Sequence, residues 1–105
     1  MPGIGAAEDP ATQVGPVIDG RAQKRIRDYL EIGRREGRVV VDRSMEGPGH
    51  AVGPVVIAGI EPTHRLAQEE IFGPVLAVMR ASSFEQALQL ANGTAYALTG
   101  GLYSR

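Results

Sequence analysis

The sequence of 105 residues contains no cysteine and no tryptophan, and only two phenylalanines and three tyrosines. The missing thiols exclude disulfides, thiolate metal sites and a cysteine nucleophile drawn from these residues, and they suit a reducing compartment. Charge of one sign is also missing, since 11 basic residues face 12 acidic ones for a formal net charge of −1. That balance lacks the basic excess by which proteins hold the phosphates of nucleic acids, so no nucleic-acid partner is expected. No apolar run approaches the ~20 residues of a membrane span, and the first 18 residues show no basic-then-apolar leader pattern. The expectation is a cytoplasmic protein without a membrane partner.

What is present is 43% hydrophobic and 22% charged residues, enough apolar material for one modest core. Residues 1–14, rich in Gly, Ala, Pro and acids, read as a flexible arm before a domain spanning 15–105. Asp19 can cap a helix over 20–36, in which Ala22, Ile26, Tyr29, Leu30 and Gly33 share one face and Gly37 stands at the terminator position. Seven basic residues lie on or just after that helix, and they form either a solvated face or an anion-binding one. Val39-Val40-Val41 predicts a strand over 38–42, and 52–60 a second extended segment near an edge because Pro54 cannot donate to a ladder.

A helical turn is expected through His64 to Gln68, then an apolar strand over 75–80 covered on both faces. Ser82, with Glu85 three residues on, predicts the cap of a helix that buries Phe84, Ala87, Leu88 and Ala91 and ends at Asn92-Gly93. A last strand over 97–103 is interrupted by Gly100-Gly101. Strands alternating with helices predict an α/β fold, three-layered, with a mostly parallel sheet and flanking helices. The chain stops just after that last strand, which suggests a covalent structure that continues.

The stretch most suggestive of chemistry is Gln68-Glu69-Glu70-Ile71-Phe72-Gly73-Pro74-Val75-Leu76. On extended backbone Glu70 and Phe72 point the same way. A carboxylate with two acceptor oxygens suits adjacent ribose hydroxyls, and a phenyl ring suits a flat heterocycle. The other reading leaves both glutamates solvated and Phe72 in the core. A shared-proton pair is disfavoured because neighbours on extended backbone diverge. His50 and His64 stand alone, without the partners that metal ligation needs, and read as surface residues.

That nonapeptide resembles the signature following the catalytic cysteine region of NAD(P)-dependent aldehyde dehydrogenases. Val14-Gly15-Pro16-Val17-Ile18-Asp19 before a basic helix, Glu36-Gly37 before a strand, and the run from Leu90 to Thr99 are similar to that family in the same order. The helix and the run from Leu98 to Arg105 most resemble its 1-pyrroline-5-carboxylate (glutamate semialdehyde) dehydrogenase branch, which belongs to proline catabolism. The resemblance implies part of a catalytic domain. Glu70 would bind the nicotinamide ribose hydroxyls of NAD or NADP in an intact parent enzyme, and Phe72 would lie beside the ribose and nicotinamide. Arg25 stands near a position that sometimes reaches the cofactor phosphates. The nucleophilic cysteine, the general-base glutamate and the Rossmann-like domain would lie upstream of Met1. No cofactor is therefore expected on this chain alone, which should be inactive in isolation and self-associate as a homo-oligomer through exposed edges. The alternative is a non-enzymatic interaction module. Gly49-His50-Ala51-Val52-Gly53-Pro54, where the family carries aromatics, and Ala97, in place of a common Gly, depart from the pattern.

Overall fold

The computed structural model describes residues 2–105. The elements run α1 (Gly20–Glu36), β1 (Arg38–Asp42), β2 (Val55–Ala58), α2 (Arg65–Gln68), β3 (Val75–Val78) and α3 (Phe84–Ala91). Asp19 starts α1 as its sequence requires, its carboxylate accepting from the Ala22 amide at 2.8 Å. The predicted stripe is the buried one, with Ile26, Leu30 and Gly33 turned inward. On the outer face Lys24 pairs with Asp28 at 2.7 Å and Arg34 with Asp42 at 2.6 Å, so several of the clustered cations are held by local carboxylates.

The architecture is the α/β one expected, a small sheet with flanking helices. Its three strands lie in the order β1-β2-β3, with β1 antiparallel and β2 parallel to its neighbour β3. The sheet is therefore mixed. The stretch between β1 and β2 contains no helix and reverses the chain, whereas β2 returns to β3 through α2, the crossover that a parallel pair needs. The expected edge position of the second strand is corrected: β2 is central. Pro54 precedes the ladder, its carbonyl accepting from Arg43 at 3.1 Å, so its missing N–H interrupts nothing.

The core forms where α1 meets one face of this sheet. Leu30, Val55, Ile57, Ile60 and Leu66 are its buried centre. Gly33 permits the close approach, since a Cβ there would lie 2.4 Å from Ile57 Cδ1 and 2.7 Å from Leu66 Cδ2. Glu36 then joins α1 to α2: its two carboxylate oxygens accept from the Arg65 and Leu66 amides at 2.7 and 3.0 Å. This short helix is capped by another helix's side chain, because its own N-cap residue His64 makes no cap bond. His64 instead accepts from the Glu61 amide through Nδ1.

Four expectations need correction in the C-terminal half. The cap of α3 is Ser83 rather than Ser82, and Gln86 rather than Glu85 makes the return bond, to the Ser82 amide. No residue of α3 is buried, and Phe84 and Leu88 are exposed, because no other described element covers that face. Residues 97–103 form no strand; no described residue pairs with them, and the glycines supply no side chain to hold them to the sheet. β3 likewise has one covered face only, with Leu76 58% exposed on the other. At the other end, residues 2–14 fold back on themselves through an Ile4–Val14 bridge, and Arg43 Nη1 donates to the Pro2 carbonyl at 2.7 Å.

Candidate functional site

The segment leading from α2 into β3 carries the candidate residues. Glu69 sits at the C-cap of α2, its amide bonded to the Arg65 carbonyl at 2.9 Å. Its side chain is occupied on two sides. Arg65 Nη2 donates to Oε1 at 2.9 Å, the Tyr29 hydroxyl donates to the same oxygen at 3.1 Å, and the Arg65 guanidinium lies 5.6 Å from the Tyr29 ring centre. The hydrogen bond from Arg65 holds the Glu69 carboxyl below its ordinary value, and in return Glu69 raises Arg65.

Glu70 has a different fate. It is exposed and takes part in none of the ion pairs among the described residues. Phe72 follows, 80% exposed, and so it is not a core residue in this chain. Phe72 also has φ 57°, the sole positive φ outside glycine among the described residues. An aromatic in the left-handed region carries strain of order 1–2 kcal/mol, which surrounding contacts must sustain. Gly73 behind it is exposed but backs onto α1, where a Cβ would meet Ile26 Cδ1 at 2.7 Å.

This backbone turn alters the geometry that alternation along an extended segment would give. Glu70 opens on a hollow lined by Gln68, Glu69, Thr94, Tyr96 and Leu98. Phe72 lines a second hollow with Pro16, Val17, Ile18, Ala22 and Arg25. The two side chains thus flank one loop from separate depressions. Each is accessible: Glu70 offers two acceptor oxygens to vicinal hydroxyls, and Phe72 an open ring to a planar group.

Two contacts at this loop had no signal in the residue pattern. Arg25 Nη2 donates to the Ile71 carbonyl at 3.3 Å, and Tyr29 reaches Glu69 across 40 residues of sequence. The i, i+4 spacing of Arg25 and Tyr29 puts them on one side of α1 but does not say which loop they meet. Gln68 makes a third long link, donating to the carbonyls of Pro62 at 2.7 Å and Gly93 at 3.0 Å. His50 and His64 lie apart from the loop's contacts, His64 being used in the turn before α2.

Comparison with known proteins shows what the chain is similar to. The sequence profile of the aldehyde dehydrogenase family matches residues 2–105. The 1-pyrroline-5-carboxylate dehydrogenase of Bacillus pumilus is 51% identical over 90 residues, covering 85% of this chain and 18% of its own length. The enzyme of the same name from Geobacillus sp. is 44% identical over 103 residues, 97% of this chain and 20% of its own. Among solved structures, 1-pyrroline-5-carboxylate dehydrogenase from Thermus with bound NAD superposes with a TM-score of 0.88 at 42% identity, over 96% of this chain and 20% of that one. Proline utilization A from Bdellovibrio bacteriovorus gives a TM-score of 0.90 at 38% identity, over 97% and 11%. The chain spans about a fifth of the length of the curated relatives it matches. A profile matched along the described chain, and a fold shared at this level of identity, show that the chain belongs to the aldehyde dehydrogenase family.

Proposed function

We propose that this chain forms the nicotinamide-ribose side of an NAD(P)-dependent aldehyde dehydrogenase that oxidises glutamate semialdehyde to glutamate in proline catabolism. The observation that carries the reading is the loop at 69–73, where one carboxylate is tied down while Glu70 and a strained Phe72 stand open. Glu70 would accept from the ribose hydroxyls and Phe72 would flank the ribose and nicotinamide, holding the ring for hydride transfer. When bound, the nicotinamide supplies the hydride acceptor. The thiolate that attacks the aldehyde must come from residues outside these 105, because the sequence has no cysteine. The chain alone is therefore inactive, and it binds neither NAD nor NADP tightly with this part of a site.

The test replaces the matching stretch of the Bacillus pumilus relative with this sequence and follows NAD-dependent oxidation of glutamate semialdehyde. Glu70→Gln in that chimera loses charged acceptor bonds, and kcat/KM for the cofactor should fall about 10- to 100-fold. Unchanged kinetics would sink the assignment of Glu70.

A second reading follows from the uncovered apolar face. Leu76 and Val78 on the sheet, with Phe84 and Leu88 on α3, would serve a non-enzymatic interaction module that binds partner subunits, whereas on the enzyme reading the same face pairs copies of this chain into a homo-oligomer. An active chimera decides for the enzyme reading, and a folded but inactive one for the module.

A further inference from the structure

The loop that presents Glu70 and Phe72 is short of bonds of its own. Its fixed points come instead from one side of α1. Arg25 donates to the Ile71 carbonyl at 3.3 Å. One helical turn on, the Tyr29 hydroxyl donates to Glu69 Oε1 at 3.1 Å. Between these two rungs Ile26, fully buried, packs so closely on Gly73 that no Cβ fits there. Arg65 closes the arrangement from α2, paired with Glu69 and lying over the Tyr29 ring. The segment is thus gripped at 69, 71 and 73. Between those points Glu70 and Phe72 are exposed, while Glu69 and Ile71, held by Tyr29 and Arg25, are half-buried.

We propose that Arg25 and Tyr29 are positioning residues that clamp segment 69–73 on either side of Glu70, fixing the directions of Glu70 and Phe72 and sustaining the left-handed backbone at Phe72. Their importance for cofactor binding rests on the reading given above, but the clamp itself is a property of this chain. Tyr29 acts through Glu69 and Arg25 through a main-chain carbonyl. Neither action depends on Glu70 touching a ligand. The physical logic is preorganisation: a carboxylate that must meet two hydroxyls at once gains from a loop already held in place.

The clamp is tested on the 105-residue chain with a protease that cuts after glutamate. Cleavage at Glu69 or Glu70 is compared, within each digest, with cleavage at Glu8 in the N-terminal arm. Cutting of a native loop follows the population of its opened form. Tyr29→Phe and Arg25→Met should each speed cleavage at 69–70 by about fivefold, the factor expected for one net hydrogen bond. The Glu8 rate should stay put, the melting temperature should fall by no more than the few degrees that one net hydrogen bond is worth, and Arg25→Lys, which keeps a donor, should restore most of the protection. Equal rates at 69–70 in all four proteins overturn the proposal. So does a rise at Glu8 and Glu70 in step with lower melting, which would mean that the two side chains serve global stability alone. Failure of the cofactor reading moves none of these rates and shows only in the Glu70→Gln kinetics of the chimera, so the two outcomes are separable.

Discussion

Glu69 and Glu70 are chemically the same, and the fold uses them oppositely. One is consumed by Tyr29 and Arg65, and the other is left open to solvent. Asp42 shows the same principle with a measurable consequence. Its carboxylate accepts from the hydroxyl of buried Ser44 at 2.6 Å and from the Ser44 amide at 2.9 Å, and it pairs with Arg34. These bonds, led by that of the Ser44 hydroxyl, lower its pKa from 3.8 to about 2. A carboxyl held below its unfolded value binds fewer protons in the folded state. Its stabilisation is full above the unfolded value and is lost as pH falls through about 2. Asp42→Asn should therefore cost about 1–2 kcal/mol at neutral pH and flatten the acid limb of the stability curve, as read by urea unfolding across pH. Gly53 is a second single-residue test. A Cβ there would sit 2.1 Å from the Arg43 carbonyl oxygen, a main-chain atom that cannot swing away. Gly53→Ala should lower stability by about 2–3 kcal/mol, measured in the same titration.

At the scale of elements, α1 is the organiser. Its inner face closes the core against β2, its last turn caps α2 through Glu36, and its Arg25–Tyr29 side holds the loop before β3. Ile57 of central β2 is fully buried beneath it, so Ile57→Ala should cost about 3 kcal/mol in chemical unfolding. The contrast is α3, whose sequence is as amphipathic as that of α1 but whose apolar side meets no cover. Leu88, 48% exposed, buries little in this chain, and Leu88→Ala should change stability by only about 0.5 kcal/mol or less. A loss comparable with that of Ile57 would show that α3 packs after all, and its uncovered state would have to be abandoned.

For the molecule as a whole, one face of the sheet, the outer edge of β3 and the apolar side of α3 lie open together. Open strand edges beside apolar surface favour pairing with other chains. Sedimentation at micromolar concentration should show dimers or larger species, with Leu76→Lys shifting them toward monomer. A wild-type monomer at that concentration would remove the homo-oligomer from the proposal. Among the described residues no helix is long and apolar enough to cross a membrane.

The local elements were legible because their causes are local. The bounds of α1 and β1 follow from the Asp19 cap, the 3.6-residue stripe and the Val39-Val40-Val41 run, and the motif at 68–76 and its neighbours carry the family resemblance in their residues alone. Central β2, uncovered α3 and unpaired 97–103 were not legible. Whether a strand is central, or an apolar face is covered, depends on which other segments stand beside it. The loop at 69–73 makes the same division at its smallest. Sequence placed Glu70 and Phe72 two residues apart and suggested ribose and ring chemistry for them. The tertiary structure decided that Glu69 is tied to Tyr29, that Ile71 is tied to Arg25, and that a positive φ sends Phe72 to a different hollow from Glu70. Contacts across 40 and 46 residues of chain exist only once α1 has packed on the sheet, and no spacing within the motif encodes them.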